Sequence, residues 1–80
     1  MTTLDLSTLY ATDGTAKLVR LEEYVQAVIN AVPAGGDAVL TGPAPVWLYL
    51  RIAHALHGRC RRLFYTSPVS GEVLIFDHTP

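Results

Sequence analysis

"DAVLTGPAPVWLYLRIAHALHG", Asp37 to Gly58, decides how the chain folds. Residues 37–41 form a short apolar run that stops at a Gly-Pro turn, the pattern of a buried central strand. Pro45 suits the first turn of a helix, because its missing N–H has no intrahelical partner there. The helix is expected from about Pro45 to His57, with Gly58 as its C-cap. A strand that runs through a tight turn straight into a helix is the repeating unit of an α/β protein.

The flanking sequence extends this unit in both directions. Upstream, "PAGG" at 33–36 ends an amphipathic helix expected from about Ala16 to Ala31. In that helix Leu18, Leu21, Val25, Val28 and Val32 recur at spacings of three and four, and Glu22, Glu23 and Gln26 take the wet side. "TDGT" at 12–15 is a turn whose Asp13 or Thr15 can cap the helix. Before it, Leu4, Leu6 and Tyr10 share one parity, which predicts a first strand, although Thr8 and Leu9 blur the alternation. Downstream, "RLFYTS" and "EVLIFDH" read as third and fourth strands joined by a hairpin turn at "PVSG".

The order is therefore β-α-β-α-β-β within a single domain spanning residues 1–80. Right-handed crossovers place the first three strands parallel and the fourth antiparallel at one side. The expected fold class is α/β, a miniature Rossmann-like sheet, with a ferredoxin-like α+β arrangement as the alternative. Helices can lie on one or both faces of the sheet.

Eighty residues form a small domain, and such a chain buries only about 60% of the surface its unfolded form exposes. Half of the residues are hydrophobic. Without internal disulfides, small scaffolds draw extra stability from metals, oligomers or very good packing. The single cysteine, Cys60, has no internal partner, which fits a reducing cytoplasm. A homo-oligomer is expected.

The formal charge of −1 argues against broad binding of duplex DNA, which needs a strong basic field. Arg51, Arg59, Arg61 and Arg62 nevertheless cluster, while Asp5, Asp13, Glu22, Glu23 and Asp37 lie in the first half. A local basic patch on a near-neutral body suits a small anion, and it equally suits a solvated turn. No signal peptide is expected, and no apolar stretch reaches membrane-spanning length because Arg51 interrupts the longest. The expected setting is cytoplasmic, with no membrane partner.

In an open α/β sheet, ligands sit beyond the carboxyl ends of the strands. That edge carries Thr41-Gly42 after the second strand and Ser67-Pro68 after the third. Glycine lets an anion approach the backbone, and the following helix start presents free N–H groups. Such turns also end strands in many domains that bind nothing there. Trp47 either packs into the core or offers a platform for a nucleobase. Trp47, Arg51 and His54 share one helical stripe, while Leu50, Ala53 and Leu56 are expected on the core side. An aromatic ring, a guanidinium and an imidazole on one stripe can grip a nucleotide or form a dimer face. His54 and His57 are too few to specify a metal. Histidine as a residue type has an unperturbed pKa near neutrality, so His78 can serve as acid or base, but Asp77 is expected on the other face of its strand. Ser67 and Ser70 are ordinary turn residues. Cys60 has basic neighbours and no other mark of a nucleophile.

From residue 37 onward the chain resembles the CRISPR-associated Csx-three proteins of type III systems, regarded as ring nucleases for cyclic tetra-adenylate. The resemblance rests on Thr41-Gly42-Pro43-Ala44-Pro45-Val46-Trp47-Leu48, on Ala53-His54, on Pro68 and Gly71, and on Asp77-His78. It implies a CARF-like domain and a homodimer, or a dimer of dimers, that encloses the cyclic oligoadenylate. It also implies cleavage associated with manganese, a ligand contacted by Thr41, Gly42, Pro43, Ala44, Trp47 and Ser67, and His78 near the scissile bond. Three positions depart from the family pattern. Its aspartate before proline is Ser67 here, the following arginine is Val69, and the arginine of the glycine turn is Pro43. Those changes remove charge stabilisation that phosphoryl chemistry uses.

Ring opening by the ligand's own 2′-hydroxyl needs geometry, an acid or base and anion stabilisation. His78 and His54 are the expected acid and base, and Arg51 the expected anion stabiliser. Three functions follow as expectations: a ring nuclease, a catalytically silent sensor or sponge for the same messenger, and a subunit that holds a protein partner.

Overall fold

The computed structural model describes all residues 1–80. Its strands are β1 (Thr2–Asp5), β2 (Asp37–Thr41), β3 (Arg62–Ser67) and β4 (Gly71–Asp77), and its helices are α1 (Leu21–Ala31) and α2 (Val46–Leu56). The sheet order is β1-β2-β3-β4. β1 and β3 run parallel to β2, and β4 runs antiparallel to β3. This is the small α/β sheet that the sequence predicts.

Both helices pack on one face. Tyr24, Val25, Val28 and Val32 from the α1 region join Leu48, Ile52 and Leu56 of α2 in a single buried cluster with Ala38, Leu40 and Leu63 of the sheet. The physical reason is handedness. Two successive right-handed crossovers that step in the same direction lay their helices on the same side. The opposite face carries the cross-strand row Thr3, Val39, Phe64 and Leu74, without a covering helix.

The first strand is shorter than the alternation predicts. Asp5 ends it, because its carboxylate accepts from the Ser7 N–H at 3.0 Å and from the Ser7 hydroxyl at 2.6 Å. Local capping of this kind competes with strand pairing. The chain turns into a 3-10 helix, Leu6–Tyr10, that buries Leu6 completely.

The first helix is also shorter. It begins at Leu21, after a 3-10 turn at Leu18–Arg20, and neither Asp13 nor Thr15 caps it. Asp13 instead takes the Arg20 guanidinium, and the Lys17 N–H donates to the Tyr24 hydroxyl. Leu18 stands 66% exposed, whereas Tyr24 is buried in the core. At the far end, Arg59 donates to the Val32 carbonyl at 2.8 Å, so this arginine closes a helix terminus.

In α2 the buried stripe is Leu48, Ile52 and Leu56, spaced by four. Leu50, expected on the core side, is 66% exposed. Gly58 is not in the left-handed conformation of a glycine C-cap; the chain leaves through turns in which the Arg59 and Cys60 N–H groups reach the Leu56 carbonyl. No helix is long and apolar enough to cross a membrane.

Candidate functional site

At the carboxyl ends of β2 and β3 the chain parts in two directions. β2 continues over the helical face into α2, while β3 turns back within the sheet as a hairpin. Diverging connections from neighbouring strands leave a crevice. The result is a cleft of about 420 Å³ lined by Thr41, Gly42, Pro43, Ala44, Tyr49, Tyr65, Thr66 and Pro68. Four of the expected ligand-contacting residues thus share one wall.

Tyrosines hold that wall in place. The Tyr49 hydroxyl donates to the Gly42 carbonyl and the Tyr10 hydroxyl donates to the Pro43 carbonyl. Tyr49 and Tyr65 meet edge to face with ring centroids 5.1 Å apart. Burial, then the neighbouring Tyr65, Asp5 and Tyr10, push the Tyr49 hydroxyl up to about 12. Tyr49 therefore remains a donor at physiological pH. Sequence reasoning missed all three tyrosines, because each belongs to a different element and only the fold collects them.

Gly42 has φ +95°, a backbone conformation that favours glycine. A Cβ there would run into the Asp5 carboxylate. The space that glycine opens is thus filled by this chain's own acid, which corrects the expectation that it admits an anion. The cleft contains hydroxyls, backbone and aromatic rings but no cationic side chain. Its chemistry suits a base or a ribose more than a phosphate.

The remaining expected residues lie elsewhere. Trp47 is half-buried and packs against the core cluster, which supports its packing role. Arg51 makes an ion pair with Glu22 of α1 at 2.6 Å and so ties the two helices together. His54 is exposed on α2. The Ser67 hydroxyl accepts from the Val69 and Ser70 N–H groups at 3.1 Å, so it shapes the hairpin turn. His78 follows the end of β4, which pairs with the start of β3, and its N–H donates to the Arg61 carbonyl. That is the opposite edge of the sheet, separated by the length of β2, roughly 13 Å at 3.3 Å per residue. There His78 stacks edge to face on His57, with centroids 4.6 Å apart, and lies beside Phe76. His78, His54 and Arg51 do not converge within one chain.

Asp37 stands at this same lower edge. Its Oδ2 accepts two bonds from Arg62, at 2.6 and 3.1 Å, and hydrogen bonding to that guanidinium holds its carboxyl below the usual carboxylate range. Its buried Oδ1 has no hydrogen bond, with Arg61 3.8 Å away. Asp77 is held low by hydrogen bonds from Thr79. Burial pushes the Cys60 thiol up, so its basic neighbours do not activate it.

Manganese prefers carboxylate and other oxygen donors, with imidazole as a common companion. No three His, Cys, Asp or Glu side chains come together to hold a metal ion, and the cleft lining contains none of these types. The residues do not fit such an ion, and no step is derived through it. Comparison with protein-family models, curated proteins and solved structures finds no significant match to this chain.

Proposed function

We propose that this chain is a CRISPR-associated binding module for a cyclic oligoadenylate-type messenger, and that its cleft takes one adenosine of the ring. The observation that supports this reading is the cleft itself. It opens at the carboxyl ends of β2 and β3, and Thr41–Ala44, the segment singled out by the resemblance, forms one wall of it. Tyr65 and Tyr49 offer aromatic surface for the base, and stacking of this kind contributes about 1–3 kcal/mol per base. Thr41 and Thr66 offer hydroxyls to its polar edges. Ring cleavage draws on groups that one chain does not assemble in the cleft, so binding is the activity proposed for it.

The test titrates the purified protein with cyclic tetra-adenylate and with its linear counterpart, and follows product size by chromatography. Saturable binding with the ring intact is expected, weakened about tenfold or more by Tyr65→Ala. Absence of binding, or binding indifferent to Tyr65→Ala, would refute the reading. Linear products would replace it with the ring-nuclease reading.

A further inference from the structure

Parallel sheets are almost always covered on both faces. β1, β2 and β3 pair in parallel, yet α1 and α2 cover only one of their faces. Register and the alternation of side chains fix what the other face presents. Its middle row is Thr3, Val39, Phe64 and Leu74. Val39 is buried between its neighbours, Phe64 is half-buried, and Leu74 stands 52% exposed. Most of the row is an apolar strip, and no element of the chain lies over it.

Carboxylates flank the strip on both sides. Towards the carboxyl ends of β2 and β3, Asp5 and Glu72 close the two ends of a row continued by Thr41 and Thr66. Towards the other ends, Asp37 and Asp77 stand on either side of Arg62. Arg62 is committed to Asp37, with its guanidinium carbon 5.7 Å from the centre of the Phe64 ring, and Arg61 at the margin approaches Asp37 to 3.8 Å. Asp5, Glu72 and Asp77 are exposed, and none of them makes an ion pair. Carboxylates therefore outnumber guanidinium groups on this face even with Arg61 included, whereas Lys17, Arg20, Arg51 and Arg59 lie elsewhere.

We infer that this face is the docking surface for a basic amphipathic helix of a partner protein. The apolar side chains of that helix cover Val39, Phe64 and Leu74, and lysines or arginines on its flanks meet Asp5 and Glu72 on one side and Asp77 on the other. The dimensions agree. Neighbouring strands lie about 4.8 Å apart, so the strip spans roughly 14 Å across the four strands. The flanking rows, two residues away on either side, are roughly 13 Å from each other at 3.3 Å per residue. A helix is about 10–12 Å across with its side chains, so one laid along the strip has carboxylates in reach on both flanks.

The same charges disfavour the other occupants. A second copy would set these carboxylates against their own kind. Nucleic acid and anionic lipid carry the sign that the face repels. The surface lies outside the cleft and needs no nucleotide, so loss of the proposed binding function would leave it standing.

The test uses the unaltered protein and a synthetic helix of leucine and lysine of about 14 residues, roughly four turns, with the leucines on one side. Titration calorimetry reads the affinity, and amide shifts in nuclear magnetic resonance locate the contact. Saturable binding is expected, with shifts centred on Thr3, Val39, Phe64 and Leu74 and with affinity falling as salt is added. Leu74→Lys is expected to weaken binding about tenfold or more. Glu72→Lys should weaken it less and reduce its salt dependence. Leu50→Lys, an exposed position on the helical side, should leave it unchanged. No binding, or shifts centred on α2 and its surroundings, overturns the inference. Equal binding of a glutamate counterpart, or of the same residues in scrambled order, overturns it too, and so does a wild-type chain that buries this face against a second copy or an anionic vesicle. The shift mapping needs no substitution, so a variant that fails to fold does not leave the question open.

Discussion

Gly42 is the residue on which the cleft wall depends. Its φ of +95° and the Asp5 carboxylate that occupies its Cβ position make any side chain costly there. Gly42→Ala is expected to destabilise the fold by about 1–3 kcal/mol through backbone strain, with the steric conflict added. Asp5→Ala in the same chain should return the steric part and leave the strain, a split that urea unfolding of the single and double variants can read.

Tyr49 bears on the same wall through its proton. Its folded value of about 12 lies above the ordinary 10.0, so the folded state holds this proton more tightly than the unfolded state does. The resulting stabilisation is complete below pH 10 and is lost as pH rises from there towards 12. Tyr49→Phe should flatten that alkaline decline in a pH series of thermal unfolding. At this scale the sequence was partly legible: the glycine of the Gly-Pro turn is visible in the chain, whereas the acid beside it, 37 positions upstream, is not.

At the scale of elements, α2 shows how periodicity constrains a helix without orienting it. Leu48, Ile52 and Leu56 form a stripe spaced by four, and Leu50, Ala53 and Leu56 form another plausible one. Which stripe is buried depends on where the sheet and α1 lie. Ile52→Ala should cost about 2–5 kcal/mol, the range for truncating a buried aliphatic side chain. Arg51→Ala should cost no more than about 1 kcal/mol, since an exposed ion pair contributes little. It should also leave nucleotide affinity unchanged, because the guanidinium reaches Glu22 and not the cleft. Equal affinities for wild type and Arg51→Ala in the binding assay would bear this out. A large loss would return Arg51 to the site. The shortened β1 and α1 have the same origin. Asp5 and Tyr24 found local partners that a hydrophobic pattern does not register.

Across the whole molecule, the sheet separates two polar edges. The upper one holds the cleft, and the lower one gathers Asp37, Arg62, Asp77, His57 and His78. Asp37 is held below its ordinary 3.8 chiefly by the Arg62 hydrogen bonds. The stabilisation it supplies is present above that ordinary value and is lost as pH falls through the lowered one. Arg62→Ala should raise the pH at which acid unfolding begins, measurable by circular dichroism in an acid titration. The same separation removes His78 from the cleft of its own chain.

Element order, relative strand direction, helix count and the position of the turn at 41–45 were determined by the sequence alone, because each follows from local periodicity, from turn residues and from the fixed handedness of crossovers, whereas the sheet order β1-β2-β3-β4 was decided by the tertiary structure. The tertiary structure decided which helix stripe is buried, that three tyrosines brace or line the cleft, that Asp5 fills the space beside Gly42, and that Arg51, His54 and His78 stand apart. Those outcomes join residues distant along the chain. A single sequence encodes such contacts only through the packing of the complete fold.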